Sequence, residues 1–418
     1  MRDIEPKEYA TIEFVRQKFI QTSGLFGFKF MEPSPIELVS VIETKSGPSI
    51  RNEIYYFKDK AEREVALRFD FTIGLTRYAV SQKSMRLPAK FSTFGGVWRY
   101  DEPQKGRYRF FHQWDIEIYG EPGTESDAEI IDFTSKFFSS LGLQNITIDI
   151  CDRVLIESYV RDVFKTESPE VIGDILRAID KVQKKRKPEI MKEYQEKGYS
   201  TADLERVLEF SQIKGSPGEV ASQVDTSTIK NWDKMLDLFN SLKNRKVENV
   251  RINFGIVRGL DYYSGIVFEI FDSSSDLGAL VGGGRYDTLT KAFGRDDMGA
   301  TGAAGGVERI VHSLERQGLS ALSATGQVWV AYVNEEMKKI AINTASALRL
   351  KGIAAEVDLA GKALRKQMDM ASTSRYVIIV APKEYSEKSV VVRNMNDGTE
   401  QKVSLESILN DPLASLRF

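Results

Sequence analysis

Val97–Gly120 reads VWRYDEPQKGRYRFFHQWDIEIYG. Two apolar arms flank the polar loop Asp101–Gly106, the pattern of an antiparallel hairpin with a long connection. Period-two alternation along the second arm puts Arg107, Arg109, Phe111, Gln113, Asp115 and Glu117 on one face. Tyr108, Phe110, His112, Trp114, Ile116 and Ile118 fall on the other, and this bulky face is expected to be core. The first face has a bland reading as a solvated sheet surface. Solvent faces favour Lys, Thr and Glu, however, and rarely carry Phe between Arg and Gln. Arginines grading through an aromatic and an amide into carboxylates suit a ligand that is anionic at one end and cationic at the other.

Outward from this hairpin, residues 6–22 read as an amphipathic helix with Ile12, Val15, Phe19 and Ile20 at helical spacing. From Phe28 to Tyr119 short apolar strands alternate with Gly/Pro/Lys turns. A helix is predicted over Asp127–Leu141 and a strand over Asn145–Cys151. From about residue 153 to Lys246 the chain is rich in Glu, Lys and Leu at helical periodicity, a helical block that interrupts the strands and reads as an insertion. Strands resume at Val250 with RINFGIV, SGIVFEIF and ALVGGG, and a helix begins near Gly306. After Ser323–Gly326 the order becomes βαβαββ, which predicts a small α/β domain with its own sheet. The expected division is therefore 1–152 and 248–322 for a sheet domain in two parts, 153–247 for the helical insertion and 326–418 for the C-terminal domain.

The bulk composition excludes several classes. Hydrophobic residues make up 42% and charged residues 28% of 418, without a disorder signature. No apolar run is long enough for a membrane span, and a single cysteine fits a reducing compartment, so a soluble cytoplasmic protein is expected. With two histidines and one cysteine, a zinc site is not expected. A net charge of −2 argues against blanket attraction to nucleic acid, leaving local patches such as Lys184–Lys187 and Lys243–Lys246. Each patch is equally readable as a solvated helix end.

Four segments carry the chemistry. The first is Arg99 followed by EPQKGRYRFFHQ and then Glu117. The second is Arg258-Gly259-Leu260-Asp261-Tyr262-Tyr263-Ser264-Gly265, followed after a strand by Gly282-Gly283-Gly284-Arg285-Tyr286-Asp287. The third is Thr301–Arg309, TGAAGGVER, glycines that let strands approach closely before a helix. The fourth is Leu67-Arg68-Phe69-Asp70-Phe71-Thr72. Together these resemble motif 2, the two amino-acid-specific peptides, motif 3 and the L-R-x-[DE]-x-T element of the histidyl-tRNA synthetases, a family of class II aminoacyl-tRNA synthetases. Asp70 in place of Glu is similar to the archaeal and eukaryotic branch. Motif 1, which forms the dimer in that class, is faint and falls in Phe28–Glu37 around Pro33 and Pro35.

The resemblance implies a catalytic domain of mixed α/β (α+β) class, an antiparallel sheet flanked by helices, with a C-terminal α/β anticodon-binding domain of mixed sheet. It also implies activation of histidine by ATP and its transfer to tRNA(His). Within it, Arg99 and Arg258 supply catalytic charge at the α-phosphate. Arg107, Phe111 and Arg309 join Arg99 in holding ATP, with Mg²⁺ arriving on the nucleotide. Asp70 and Thr72 match the groups that bind the ammonium, while Gln113, Glu117, Arg258, Tyr262, Tyr263 and Tyr286 match those around the rest of histidine. An aminoacyl adenylate has the polarity of the hairpin face. Lys105, Lys362, Arg365 and Lys366 are candidates for tRNA contact, and a homodimer is implied. Guanidinium groups suit this chemistry because they stay charged and donate in a planar fork. The alternative is a non-catalytic paralogue acting as a histidine-sensing regulatory subunit.

Overall fold

The computed structural model describes residues 2–100, 108–120, 123–182, 185–257, 262–319 and 328–416. The chain divides into two compact units, Met1–Ser320 and Ala321–Phe418.

The first unit is organised by a nine-stranded sheet. In spatial order its strands are Lys29–Phe30, Ala89–Trp98, Phe110–Gly120, Gly299–Gly306, Val281–Arg285, Ile266–Asp272, Ile146–Asp152, Val250–Asn253 and Lys214–Gly215. Neighbours run antiparallel, except that Lys29–Phe30 is parallel to Ala89–Trp98 and Ile146–Asp152 to Val250–Asn253. A parallel pair needs a long crossover. Here the crossover is the helical block, from Arg153–Phe164 to Trp232–Asn244. Asp152 starts it by capping the first helix, its carboxylate accepting from the Val154 and Leu155 amides. The block is continuous with the sheet's core: Leu155, Ile175, Leu204 and Leu242 belong to the same apolar cluster as Ile150 and Phe268. Tyr159, Phe210 and Phe254 stack in series across the junction, with ring centroids 3.7 and 4.6 Å apart.

The sheet buries one face under the helices Pro6–Leu25, Thr124–Ser140 and Val307–Arg316. Trp114 is the centre of this layer, 5.6 Å from Phe19 and 5.3 Å from Phe137 between ring centroids. Three expectations need correction. Ile20 points outward on its helix, because the buried stripe follows Ile12, Val15 and Phe19. Between Phe28 and Tyr119 the chain also forms the helices Val39–Ser46 and Thr72–Ser81: the first packs in a smaller local core that Ile73 shares, while the second also buries Leu75 and Ala79 with Phe91 and Tyr119 of the main sheet. Finally, the bulky face of Phe110–Gly120 is core only from Trp114 onward. Phe110 is 42% exposed, since this end of the strand overhangs the helical layer and covers Gly96 instead.

The glycines are built into the sheet. Gly282–Gly284 lie inside the strand Val281–Arg285 rather than in a turn. A Cβ on Gly283 would meet the Phe268 ring at 2.5 Å and the Gly302 carbonyl at 2.7 Å. One on Gly305 would lie 2.6 Å from Trp114 Nε1.

The second unit is a five-stranded mixed sheet in the order Ala355–Val357, Val328–Tyr332, Tyr376–Val380, Ser389–Asn394, Glu400–Ser404. The first three strands are parallel and the last two close an antiparallel hairpin edge. Helices Glu335–Leu350 and Leu364–Met370 cover it. Glu400–Ser404 goes beyond the predicted βαβαββ order; its polar sequence EQKVS belongs to an exposed edge strand.

Candidate active site

A cleft of about 650 Å³ opens on the sheet face opposite the helices. The Phe110–Gly120 strand runs along it, pairing Phe111 with Val97 on one side and Gly302 with Glu117 on the other. Arg99, Phe111, Gln113, Asp70, Thr72, Tyr262, Tyr263 and Arg309 all line this cleft. Segments far apart in sequence therefore meet where the alternation of one strand placed them.

At the outer end, Arg99 is held by two hydrogen bonds. Its Nε donates to the Phe69 carbonyl at 2.9 Å and its Nη2 to Gln113 Oε1 at 3.1 Å. The guanidinium lies 5.1 Å from the centroid of the Phe111 ring. A cation fixed in this way, with an exposed flank and an aromatic beside it, is preorganised for a planar anion and a flat ring. Arg309 approaches from the start of the helix Val307–Arg316, its Nη1 donating to the Ala279 carbonyl at 2.5 Å.

The inner end is acidic and buried. Asp115 and Glu117 are each at most 1% exposed. Thr72 Oγ1 donates to Asp115 at 3.3 Å, and the Tyr286 hydroxyl donates to Glu117 in a short contact. Burial pushes the Glu117 carboxyl up to about 7. Burial first, and then the neighbouring charge of Glu117, hold Asp115 well above the usual carboxylate range. Two carboxyls this close in a dry site can share one proton. Glu117 and Tyr286 do not line the open cleft; they lie beneath it, behind Tyr262 and Tyr263, whose rings are 4.3 Å apart. A Cβ on Gly302 would overlap the Glu117 carboxylate, so that motif glycine is what makes room for the acid.

Arg285 and Asp287, from the same peptide as Tyr286, are braces. Arg285 forms a bidentate pair with Asp127 at 2.8 and 3.1 Å, and Asp287 accepts from the Ala300 amide at 2.9 Å. The pair's burial pushes Asp127 up to about 6 in spite of Arg285.

Several lining residues escaped the reading from sequence, Lys45, Glu308 and Glu269 among them. Lys45, from the helix Val39–Ser46, reaches Asp70 Oδ2 at 2.8 Å and lies 4.3 Å from the Tyr262 ring centroid. Glu308 accepts from the His112 amide at 2.9 and 3.0 Å and sits 3.0 Å from His112 Nδ1. Glu269 lines the cleft from the strand Ile266–Asp272. The Glu-Arg pair of the G-x-x-x-G-φ-E-R segment signalled Glu308; nothing local signalled Lys45, which sits 25 residues from its partner. Arg107, Lys105 and Arg258 lie outside the described residues. Lys362, Arg365 and Lys366 are exposed in the second unit, around the start of the helix Leu364–Met370. The Lys362 amide donates to Asp358 at 2.7 Å.

An antiparallel sheet carrying a clamped arginine, a stacking ring and a glycine-lined strand–helix junction is the arrangement of class II aminoacyl-tRNA synthetases. Residues 1–310 match the family model described as Histidyl-tRNA synthetase, and residues 327–411 match the one described as Anticodon binding domain. The histidine–tRNA ligase of Pyrococcus furiosus is 35% identical over 419 residues, covering 98% of this chain and 96% of that one. The histidyl-tRNA synthetase structure from Nostoc sp. PCC 7120 superposes with a TM-score of 0.85 at 20% identity, covering 100% of this chain and 97% of that chain. A Bacillus halodurans structure, described as an ATP phosphoribosyltransferase regulatory subunit/histidyl-tRNA synthetase, gives 0.75 at 22% identity over 91% and 97%. The chain belongs to the histidyl-tRNA synthetase family.

Proposed function

We propose that this chain is a histidine–tRNA ligase, which joins histidine to ATP as histidyl adenylate, releases pyrophosphate, and transfers the histidine to the 3′ end of tRNA(His). The observation that carries the reading is the gradient along one strand, from the clamped Arg99 beside Phe111 to the buried Glu117 under Tyr286. The histidine carboxylate and the α-phosphate are both anionic, and charge grows on the phosphoryl oxygens as they join. Fixed cations matter more here than a base. Arg99 takes the α-phosphate, Phe111 stacks on adenine and Arg309 holds the far part of the nucleotide; Arg107 and Arg258 complete this set from their positions in the motifs. Asp70 and Thr72 receive the ammonium, Gln113 lies along the amino acid, and Glu117 accepts from one ring N–H. Tyr263 serves the other ring nitrogen, with Tyr262 and Tyr286 closing around it. Such a pocket leaves polar groups unpaired with any other amino acid of similar size.

Among the described residues no cluster of three or more His, Cys, Asp or Glu could hold a metal by itself. That fits Mg²⁺ carried in on ATP phosphates, which needs only one or two protein carboxylates. Glu269 in the cleft would hold it, where it would neutralise phosphate charge.

The catalytic domain comprises 1–152 and 248–322, with 153–247 as a helical insertion and 326–418 as the tRNA-anticodon domain. Lys362, Arg365 and Lys366 present exposed charge to RNA phosphate there, and Lys105 is assigned to the acceptor end from its position in the motif. Phe30 on the edge strand and Ile36, Leu38, Tyr56 and Phe57 on the small sheet are exposed apolar side chains, which supports a homodimer through this part of the chain. No helix among the described residues is long and apolar enough to cross a membrane, in keeping with a cytoplasmic enzyme. The regulatory paralogue shares the fold but is not favoured, given full-length identity to a ligase and a matching anticodon-binding domain.

The test is ATP–pyrophosphate exchange by the purified chain with each amino acid in turn. Exchange with histidine alone is expected. Exchange with another amino acid, or histidine binding without exchange, would overturn the proposal.

A further inference from the structure

The acidic end of the site holds three carboxyls, Asp70, Asp115 and Glu117, and one lysine is set among them. Lys45 Nζ donates to Asp70 Oδ2 at 2.8 Å, and the two side chains are only 6% and 8% exposed. The same ammonium lies 4.3 Å from the Tyr262 ring centroid. Its charge is felt by Asp115, Glu117 and Tyr263 as well. Asp70 Oδ1 is turned the other way, accepting from the Ile73 amide at 3.3 Å. Both carboxylate oxygens of Asp70 are therefore engaged, and the partner of Oδ2 is a primary ammonium with the same donors as the α-ammonium of an amino acid. Glu117 and Tyr286 are buried and do not line the open cleft.

We infer that Lys45 is a specificity-determining residue: it is an internal stand-in for the substrate's ammonium, plugging Asp70 while the pocket is empty and being displaced when an amino acid enters. The inference rests on the proposed reading that Asp70 receives the ammonium. Physically, a buried carboxylate left bare is costly, so the empty site is stabilised by a cation from its own chain. An entering amine must then replace an equal cation instead of filling a vacancy. An amine that brings nothing more than its ammonium gains little by that exchange. Histidine gains because its ring adds pairings that a bare amine lacks. The plug thus sets a threshold that amines without a matching ring fail to cross.

The test is direct binding, by calorimetry, of three ligands to the full chain and to Lys45→Met: histidine, histidinol (ammonium and ring, no carboxylate) and imidazolepropionate (carboxylate and ring, no ammonium). Removing the competing cation is expected to tighten histidine and histidinol by about tenfold or more, the scale of a desolvated charge pair. Imidazolepropionate is expected to be unchanged. Unliganded Lys45→Met should melt below wild type, and histidine should raise its melting temperature by a larger increment. If Lys45→Met does not fold, Lys45→Gln gives the same comparison with a polar side chain of similar length. Weaker binding of histidine and imidazolepropionate with histidinol spared would overturn the inference and make Lys45 a carboxylate ligand. Unchanged or uniformly weakened binding of all three would also overturn it. Failure of the wild-type chain to bind histidine at all would instead sink the proposed function itself.

Discussion

The two ends of the Phe110–Gly120 strand obey the same alternation yet are different chemical environments. At the outer end Phe110 overhangs the helical layer, while Phe111 faces the cleft with the half-buried Arg99 beside it. At the inner end Asp115 and Glu117 are dry, flanked by Gly302 and Tyr286, and their charged forms are disfavoured. The difference shows that depth, more than residue type, decides what a charge can do. An arginine near the surface can wait for an anion, whereas a buried carboxylate must have a partner of its own or hold a proton until a ligand supplies one.

That contrast breaks most completely at the outer end. Arg99→Ala should lower ATP–pyrophosphate exchange by about 1,000-fold, the scale of losing a preorganised charge at a developing oxyanion. The histidine Kd should change far less, so a matching loss of histidine binding would show that the two ends are not independent.

At the inner end the expected signature is one of stability. Glu117 has its native carboxyl pushed up from 4.5 to about 7 by burial. Below pH 4.5 both folded and unfolded forms are protonated and nothing is lost. As pH rises towards 7 the unfolded state releases its proton first, so stability falls through this window and stays low above it. Glu117→Gln should lessen that fall, Asp115 and Asp127 being also held above their usual range, and gain up to about 3 kcal/mol over wild type at pH 8, closing to nothing at pH 4. Melting curves across pH 4–8 measure this, and parallel curves for the two proteins would contradict the burial argument. The same variant should raise the histidine KM far more than the ATP KM.

The smallest effect sharpens the comparison. Phe111→Ala, at the half-buried position between the two regimes, should raise the ATP KM by about tenfold through lost stacking. The histidine KM and the pH dependence of melting should stay at their wild-type values. A shift in either would mean that the ring also seals the acidic end.

Much of the site was legible because period two fixes which residues share a face, whatever the strand packs against. Phe111, Gln113, Asp115 and Glu117 follow from that alone. Arg99, Asp70, Tyr262, Tyr263 and Arg309 followed from motif resemblance, since their meeting depends on segments joined through long connections. The helices Val39–Ser46 and Thr72–Ser81 were missed because they are only eight and ten residues long, too few turns for helical periodicity to outweigh the surrounding strand pattern. Lys45 was invisible for a related reason. A lysine in the last turn of an eight-residue helix reads as a solvated C-terminal charge, and only the small core that Val39 and Ile42 share with Ala66 and Ile73 brings Asp70 to it.

By itself, then, the sequence determined the long elements, the alternation of the central strand and the chemical types ranged along it, because these depend on local geometry and on neighbours a few residues away. The tertiary structure alone decided which charges are wet and which are dry, that Glu117 lies under Tyr286 instead of in the open cleft, and that Lys45 occupies Asp70. Desolvation and pairing depend on what the rest of the chain places within a few ångströms, and no local pattern carries that information.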